Sequence, residues 1–546
     1  MKKIFFQVVI GLLTASCSVS DPKADPFLES TVEPIPSKAV FPETPFWNEY
    51  ARVFIYAPAF NFKPVQGAVS YRYTITCSSN KQEYVFEDSL PNQSLSRVWG
   101  KIPTGIITLK VEGVSADGKI TGIAGEKRIY RSSPFRGIPN APKAPYKEVA
   151  ARTLEGIYRL PYIQKWISSD EPDLNYSLFG YPSKIISSLI DGMLMYSALP
   201  STSKEDSAKA MTIALKMAGH LMKISKSKSP VLSAFPPTYD MEFVNKRKQD
   251  PGIPDPNGVN SIATKNANKL MMLYGYEYAN VILNLYDRTR DDKWLKKAVA
   301  IADAYKKLQL PNGTWHLKLD YNTTAPLDTH MMMPTQFMIF LKRLEQQYGK
   351  TGYEEVIAKA HQWLKENPMK TFFWEAQFED VPSYPEMYHN MSKYPPTFYA
   401  MYLLKYDSLS AQNINIAKEL VRFSEDQFVI WENPPCDSVL FNPWASKDTV
   451  AWFTPCALEQ YHFYVPVDAS ACQMINAFMS LYRATNDSVY LQKATALANS
   501  ITQVQQANGE ITTVWTHSGF HTENWLNCMI LSAKTLLEFE TGQNKK

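Results

Sequence analysis

The sequence has little cysteine, little glycine and no excess of either charge. Its 546 residues include 6 cysteines and 22 glycines, and 57 basic residues stand against 53 acidic ones. So few cysteines exclude a small disulfide scaffold, and the low glycine content excludes collagen. A hydrophobic fraction of 45% excludes a disordered chain. Because both signs of charge are interspersed, the chain lacks the basic field that binds nucleic acid, and we expect no nucleic-acid partner.

The sequence also lacks a membrane-spanning run of about 18 apolar residues. The apolar run 4–13 follows two lysines and has the length of a signal-peptide core. After it comes Thr14-Ala15-Ser16-Cys17. These small residues ending at a cysteine resemble the lipobox of bacterial lipoproteins, in a looser form similar to that of the Bacteroidetes. The resemblance implies that a signal peptide, residues 1–16, is removed and that Cys17 carries a lipid that anchors the exported protein to a bacterial membrane. An ordinary secreted protein with an incidental cysteine is the alternative.

Five cysteines remain after the lipobox. Cys436 and Cys456 lie 20 residues apart in an irregular stretch, where a disulfide would restrict a loop, so they are the candidate pair for a bridge, and the sequence leaves open whether it forms. Cys77, Cys472 and Cys528 occur in apolar patterns and are predicted to be buried thiols.

The period of the hydrophobic pattern changes along the chain. Residues 17–45 are rich in Pro, Asp and Ser, which predicts a solvated, extended tether. From 46 to 132 apolar and polar residues alternate as in half-buried strands, for example at Tyr71, Tyr73 and Ile75.

This alternating region resembles the fibronectin type III or immunoglobulin-like β-sandwiches that precede catalytic domains in exported carbohydrate enzymes. Asp117-Gly118 is typical of its hairpin turns. A proline-containing linker, residues 133–146, follows.

From residue 147 onward the period is helical, and one unit occurs twice. The first copy is marked by Leu285-Tyr286, Trp294-Leu295 and Asn312-Gly313. The second copy, offset by 196 residues, is marked by Leu481-Tyr482, Tyr490-Leu491 and Asn508-Gly509. Each copy predicts a pair of antiparallel helices that stacks on the next pair.

Twelve helical segments are predicted in this region. They are residues 147–166, 183–198, 205–224, 264–288, 291–307, 334–348, 353–366, 395–405, 411–427, 468–484, 487–505 and 522–541. Twelve helices make six hairpins, and this architecture resembles the six-hairpin glycosidases. The resemblance implies a mainly α fold in which an (α/α)6 toroid, residues 147–546, is the catalytic domain. An open superhelix of the same hairpins is the alternative.

The connections within hairpins are short, and those between hairpins are long. The long ones are roughly residues 230–263, 311–333, 367–394, 428–468 and 506–525. Because hairpins alternate in direction, all of them emerge at one end of a toroid. They contain six of the eight histidines and seven of the twelve tryptophans. Long loops on a rigid scaffold usually carry binding and catalysis, so we predict a cleft at that end, with tryptophans as sugar platforms.

The third long loop is the densest in chemistry. In an alternating stretch Glu375, Gln377 and Glu379 share one face beside Trp374, an arrangement that suits the hydroxyls and the flat face of a pyranose. A carboxyl buried among these rings would have a raised pKa and serve as a general acid. The alternative is that these acids are solvated or cap helices. Glu375 and Asp380 are the first choice for the acid pair.

The other candidates come from the same loops. Further catalytic candidates are Glu379, Asp328, Tyr388 and His389, and substrate-binding candidates are Trp315, Lys318, Trp374, Gln377, Asn390, Glu459, Tyr461, His517, His521 and Trp525. Asp328 is almost as well explained as an N-cap of the following helix. His517 and His521 are four apart but interrupted by Gly519, which argues against a helical zinc site. No phosphate-binding or dinucleotide motif occurs in a supporting context, so neither a metal nor a cofactor is predicted.

These features predict a carbohydrate-active enzyme, a glycoside hydrolase that acts on polysaccharide-derived oligosaccharides, including uronic-acid-containing ones. Unsaturated glucuronyl hydrolases resemble it in fold, but no motif matches residue by residue. A polysaccharide lyase is the alternative reaction, with Tyr388, His389 and Asn390, or Tyr239 and Lys318, acting on a uronate. The third hypothesis is a surface glycan-binding lipoprotein without turnover.

Overall fold

The computed structural model describes residues 25–35, 49–435, 452–515 and 524–543. Several predicted features lie outside these ranges: the signal peptide 1–16, the lipid-attachment residue Cys17, Cys436, His517 and His521. Within the described ranges, no helix combines the length and apolar character needed to cross a bilayer.

The described part of the predicted tether packs on the rest of the protein. Residues Pro26–Glu29 form the short helix α1, and the Asp25 carboxylate caps it by accepting a backbone hydrogen bond at 2.9 Å. Leu28 and Ile35 are buried. The prediction of a solvated, extended segment is wrong for this part of the chain, because its apolar side chains gain free energy by leaving water.

Five strands follow and form one curled sheet. They are β1 Val53–Phe54, β2 Ser70–Cys77, β3 Glu83–Asp88, β4 Gly105–Val114 and β5 Ile120–Arg131, with helix α2 Ser96–Trp99 between β3 and β4. The spatial order is β1-β5-β4-β2-β3. The predicted alternation is confirmed, since Tyr71, Tyr73 and Ile75 are buried while the residues between them are partly exposed. Gly118, with φ of 81°, lies in the predicted turn between β4 and β5.

A sandwich would need a second sheet, but the strands described in this region all belong to one sheet. The sheet docks on the helical domain instead. The Asp426 carboxylate accepts hydrogen bonds from the backbone amides of Ile55 at 2.7 Å and Tyr56 at 2.8 Å. The helical domain thus supplies a packing partner of the kind that a second sheet supplies in a sandwich.

The rest of the chain is mainly helical. Its helices are α3 Tyr146–Arg159, α4 Pro161–Gln164, α5 Pro182–Ala198, α6 Lys204–Ile224, α7 Met241–Lys248, α8 Val259–Lys265, α9 Leu273–Thr289, α10 Asp292–Leu308, α11 Thr335–Tyr348, α12 Glu354–Glu366, α13 Pro368–Thr371, α14 Tyr394–Lys405, α15 Ala411–Phe428, α16 Asp468–Thr485, α17 Ser488–Gln503 and α18 Leu526–Gln543. Its short strands are β6 Lys269–Met271, β7 Lys318–Asp320, β8 Val429–Ile430, β9 Cys456–Gln460 and β10 Phe463–Pro466. The twelve predicted helices are all present.

The twelve long helices form two concentric rings. In the inner ring α5 packs on α9, α9 on α11, α11 on α14, α14 on α16, α16 on α18, and α18 returns to α5. The outer helices α6, α10, α12, α15 and α17 each pack on the inner helix that precedes them, and the outer helix α3 packs on α18. Because the inner ring closes on itself, the domain is an (α/α)6 toroid, as predicted, and not an open superhelix.

The predicted repeat is visible as one contact made twice. Gly313 and Gly509 adopt positive φ angles of 97° and 90°. A Cβ atom on Gly313 would lie 2.3 Å from the carbonyl oxygen of Lys359 on α12, and one on Gly509 would lie 2.3 Å from the carbonyl oxygen of Arg152 on α3. In both copies the glycine therefore lets a turn press against the next outer helix.

One predicted helix is interrupted. The pattern predicts a helix over 264–288, but α8 ends at Lys265 and strand β6 precedes α9. β6 pairs with β7, and the Met271 amide donates a hydrogen bond to the Thr238 hydroxyl at 2.8 Å. These long-range hydrogen bonds outweigh the local helical preference.

The cysteines of the described residues are buried free thiols. This confirms the prediction for Cys77, Cys472 and Cys528. Cys456 is also free among the described residues, and its candidate partner Cys436 lies outside them. The pairing of Cys456 with Ile430 across β8 and β9 places this thiol in the core.

Candidate active site

Successive long loops are hydrogen-bonded to one another. The Tyr321 hydroxyl donates to the Phe235 carbonyl at 2.6 Å, Gln377 contacts the backbone of Met331 and Met333, Ser392 bridges Gln460, and Val467 bridges Val514. These contacts join all five long connections in chain order. The loops therefore gather at one end of the toroid, as their alternating direction predicts.

A cavity of about 420 Å³ lies where these loops meet the inner ring. Every inner helix contributes residues from its N-terminal turns, including Lys184 of α5 and Glu277 of α9. The loops add Gln377, Glu459 and Trp525. The volume falls in the range of about 300–1,000 Å³ that is typical of small-ligand sites.

A buried ion pair stands beside the cavity. Lys184 Nζ lies 3.0 Å from Glu379 Oε1, and the Tyr274 hydroxyl donates a hydrogen bond to Glu379 Oε2. Burial alone would raise the pKa of Glu379, but the Lys184 ammonium and the Tyr274 hydrogen bond outweigh it and lower that pKa. Glu379 is therefore held ionised and is fully occupied by its partners.

Three other carboxyls around this pair have raised pKa values. Burial raises the pKa of Glu277 and of Glu459 to about 7. Desolvation by the surrounding protein, followed by the charge of Glu379, raises the pKa of Asp380 to about 6, although this side chain reaches solvent. Groups with such values exchange protons near neutral pH, which is the property that general acid and base catalysis requires.

Glu277 and Glu459 face the cavity from opposite sides. Glu277 belongs to α9, and Glu459 belongs to β9, which packs on α16. In the ring order α5, α9, α11, α14, α16 and α18, helices α9 and α16 are three places apart. Neither carboxyl has a hydrogen-bond or ion-pair partner among the described residues, in contrast to Glu379. The cavity wall therefore carries two carboxyls that lack a hydrogen-bond or ion-pair partner among the described residues.

Glu459→Gln is expected to stabilise the protein at pH 8 and to have little effect at pH 5. Because burial raises the pKa of Glu459 to about 7, the folded state holds a proton that the unfolded chain releases at lower pH. Stability therefore falls as the pH rises through this window. An amide does not ionise, so we expect a gain of roughly 1–3 kcal/mol at pH 8. Thermal unfolding at both pH values measures it.

Glu355→Gln is the matched control for this prediction. Glu355 lies on the outer helix α12, and its hydrogen bond with Lys359, at 2.7 Å, lowers its pKa. Its amide variant should show no gain at pH 8. An equal gain in this control, or a change in Glu459→Gln that does not depend on pH, would contradict a raised pKa of Glu459.

Glu375, one of the two residues predicted for the acid pair, is hydrogen-bonded to other side chains through both of its carboxylate oxygens. Its Oε1 lies 2.5 Å from Nδ1 of His330, and its Oε2 accepts a hydrogen bond from Gln377 at 3.2 Å. The hydrogen bond with Glu375 raises the pKa of His330. Glu375 is buried and is absent from the cavity wall. These contacts indicate a structural role, in contrast to the predicted one.

Asp328 and Lys318 brace the segment that follows Asp380. The Lys318 ammonium donates to the Ser383 hydroxyl at 2.9 Å and to the Val381 carbonyl at 3.2 Å, and it lies 3.6 Å from Asp328. Ser383 in turn donates to Asp328 at 2.8 Å. Neither residue lines the cavity. The N-cap of α11 is not Asp328, so the capping explanation is wrong as well.

Two predicted tryptophan platforms belong to the core. Trp315 and Trp374 have exposed fractions of 1% and 0%. Trp315 donates a hydrogen bond from its indole to the Tyr305 carbonyl at 2.7 Å, and Trp374 packs against other core rings. A ring without exposed surface cannot stack on a sugar, so these two predictions are wrong. Trp525, in contrast, lines the cavity, with Lys184 Nζ 5.9 Å from its ring centroid.

The three adjacent residues suggested for a lyase, Tyr388, His389 and Asn390, contact different parts of the protein. The Tyr388 hydroxyl donates to the Thr371 carbonyl at 2.6 Å, and burial raises its pKa to about 12. Asn390 is buried and donates to the Gln460 side chain at 2.8 Å. His389 packs among other rings. The structure does not bring these three groups together on one ligand.

Of the remaining predicted residues, Gln377, Glu459 and Trp525 line the cavity. Tyr461 does not line it, and its hydroxyl donates to Gln427 at 2.8 Å. Tyr239 donates to the Glu379 carbonyl at 2.9 Å. In the part of the chain that the structure describes, no three histidine, cysteine or acidic side chains are arranged to hold a metal ion.

Sequence reasoning missed Glu277 and Lys184, because it sought chemistry only on the loops. Both residues lie in the N-terminal turns of apolar inner helices. Glu277 stands between Tyr276 and Tyr278, which are both buried. An acid between two aromatic residues at the start of a core helix is the signal that points to it.

Comparisons with known proteins yield similarities of shape only. No protein-family model and no curated protein sequence matches the chain. Among solved structures, a family 76 glycoside hydrolase from a bovine Bacteroides thetaiotaomicron strain is 11% identical, with 88% of this chain and 95% of that chain covered and a TM-score of 0.44. A family 76 alpha-mannanase from Bacteroides thetaiotaomicron is 14% identical, with 72% and 95% covered and a TM-score of 0.43. An unsaturated glucuronyl hydrolase specific for heparin is 10% identical, with 72% and 97% covered and a TM-score of 0.40.

Proposed function

We propose that the protein is a glycoside hydrolase that cleaves neutral sugar chains, with Glu277 and Glu459 as its catalytic carboxyls. One observation carries the proposal: both carboxyls have pKa values near 7, lack other partners among the described residues, and face one cavity from opposite sides. Glycoside hydrolysis needs two carboxyl groups that flank the scissile bond. One must be protonated and the other ionised, and two groups with pKa values near 7 reach that state at neutral pH.

The surrounding charges assign the roles. Burial raises the pKa of Glu459, Lys393 and Lys184 lower it, and Asp380 and Glu379 raise it, while burial lowers the pKa of Lys393 itself well below the ordinary value. The lowered pKa of Lys393 weakens its effect on Glu459, and the Asp380 charge acts on Glu459 and not on Glu277, so we assign Glu459 as the general acid. Burial raises the pKa of Glu277; of the charges near it, the Lys184 ammonium has the largest effect and favours the ionised form, while the Glu379 carboxylate opposes it. Glu277 is therefore the base or nucleophile.

The charges of the cavity also favour neutral sugars over uronates. Two lysines line the described cavity wall, and each is already paired, Lys184 with Glu379 at 3.0 Å and Lys534 with Asp191 at 2.9 Å. A uronate carboxylate would meet the ionised Glu277 without a free cation on the described cavity wall to offset the repulsion. This disfavours the lyase, whose reaction must neutralise a uronate.

Incubation with a panel of polysaccharides tests the reaction class. The panel contains soluble mannan, xylan, glucan and polygalacturonate. We expect new reducing ends from a neutral polymer and no ultraviolet absorbance from an unsaturated uronate. Absorbance produced from polygalacturonate would establish the lyase instead, and glycan binding with no product from any polymer would establish the binding protein.

The N-terminal pattern that ends at Cys17 supports a further part of the proposal, that the enzyme is exported and anchored to a bacterial membrane by lipid.

A further inference from the structure

Four rings form a cluster outside the cavity, here called the mouth cluster: Tyr50, Tyr384, His389 and His462. The ring centroid of Tyr384 lies 4.5 Å from that of His389 and 4.4 Å from that of His462, and the centroids of the two imidazoles are 4.6 Å apart. Tyr50, which precedes the β-sheet, packs edge-on against His389 at 4.8 Å. All four side chains are only half-buried.

Three chain segments tie the mouth cluster to the cavity. His462 follows the cavity residue Glu459 by three positions, and His389 precedes the cavity residue Ser392 by three. Because an extended chain spans at most about 3.6 Å per residue, these Cα atoms are within about 11 Å of each other. Tyr384 follows the cavity residue Phe378 by six positions. The cluster therefore lies directly beside the cavity, on the loop side of the toroid.

The mouth cluster is held in place before any ligand arrives. The His462 amide donates to the Asn390 side chain at 3.1 Å, and Asn390 donates to Gln460 at 2.8 Å, which fastens the turn between β9 and β10 to the third long loop. The Tyr384 hydroxyl and His462 Nδ1 are 3.0 Å apart. Nδ1 of His389 is buried and has no hydrogen-bond partner among the described residues. Half-exposed rings that are fixed in advance are suited to a ligand with an apolar face, such as the C–H face of a pyranose.

We propose that the mouth cluster is a second sugar-binding subsite, which holds the part of a neutral glycan chain that extends out of the cavity. The inference rests on the proposed function for the position of the cleaved sugar, and it adds a contribution from the N-terminal region through Tyr50. The half-exposed rings pack on the C–H face of a pyranose, and the hydrogen bond between Tyr384 and His462 holds two of them in place for this contact. The enzyme therefore prefers chains longer than the cavity can hold.

Direct binding measurements test the subsite without relying on turnover. The probes are gluco-, manno-, galacto- and xylo-oligosaccharide ladders from two to eight units, titrated calorimetrically into the full chain. In the unmodified protein we expect affinity to rise with length beyond the units that fill the cavity. Tyr384→Ala and His462→Ala should each weaken the binding of the longer oligosaccharides about tenfold, which corresponds to the loss of one ring contact. Tyr384→Phe keeps the ring and should retain most of it.

Tyr286→Ala is the matched control, because Tyr286 is a half-buried tyrosine near the C-terminal end of α9, away from the loops. It should leave the length dependence unchanged, and circular dichroism with thermal unfolding confirms that each variant is folded. Affinity that levels off at the cavity length, a length gain that survives both alanine variants, or no binding of any ladder would overturn the subsite. A length gain that depends on Tyr384 and His462 without hydrolysis would overturn only the proposed function.

Discussion

Glu277→Gln and Glu459→Gln are each expected to lower kcat by about 10²–10⁴-fold, the usual contribution of a general acid or base. Glutamine keeps the shape of each side chain but cannot gain or lose the proton that the reaction transfers. Neither carboxyl has other partners among the described residues, so the substitution should disturb the fold little. Reducing-end release from the polymer identified in the panel measures the effect, and KM should change much less than kcat.

The double variant sharpens this prediction. The losses of kcat caused by removing two groups that act together in one reaction are not additive. Glu277→Gln combined with Glu459→Gln should therefore lower kcat little more than either single variant does. Glu375→Gln is the control on the loop, since Glu375 is bonded to His330 and should affect kcat far less. A Glu277→Gln variant with more than a tenth of the original kcat, or a larger loss in Glu375→Gln, would refute the assignment.

The pH profile separates the two roles. Asp380 lies near Glu459, and its negative charge helps to raise the pKa of Glu459. Asp380→Asn should therefore move the alkaline limb of kcat/KM to lower pH, because the general acid then loses its proton more easily. Loss of activity without a shift of that limb would instead place Asp380 in the acid pair, as the sequence suggests.

The fold was predictable because its signals are local and repeated. The helical period of each segment, the short turns within hairpins and the two Asn-Gly units depend on neighbouring residues. Gly313 and Gly509 show the physical cause, since each makes the same close approach to an outer helix. The predictions of secondary structure failed where long-range hydrogen bonds determine the conformation, as in β6. They also failed where an apolar side chain of a polar segment is buried against the rest of the protein, as Leu28 is.

The site was less predictable because a sequence does not distinguish a cavity wall from a core. Trp374 and Trp525 are both tryptophans next to long loops, yet one is fully buried and the other lines the cavity. Conversely, the sequence around Glu277 is that of an ordinary helix, and only the closing of the inner ring places this residue on the cavity wall. Glu459 was among the substrate-binding candidates because its loop is dense in polar and aromatic residues, whereas Glu277 lies in a helix and was not considered.

Lys184→Met is expected to destabilise the protein by about 3 kcal/mol at neutral pH, because it leaves the buried Glu379 carboxylate without its cation. The sign with pH follows from the lowered pKa of Glu379. The Lys184 pair stabilises the fold when Glu379 is ionised, and this stabilisation is lost as the pH falls through the folded-state pKa. The loss of unfolding free energy in Lys184→Met should therefore be larger at pH 7 than at pH 4, as measured by urea unfolding.

A second substitution isolates the charge from the packing. Lys184→Met combined with Glu379→Gln removes both charges, so it should recover much of the lost stability, although the Tyr274 hydrogen bond is altered. Lys209→Met is the matched control, because Lys209 pairs with Glu205 on the surface of α6 at 2.6 Å and such a pair contributes only about 0.5 kcal/mol or less. Equal losses for Lys184→Met and Lys209→Met, or no recovery in the double variant, would show that the Lys184 and Glu379 pair is not the electrostatic centre of the site.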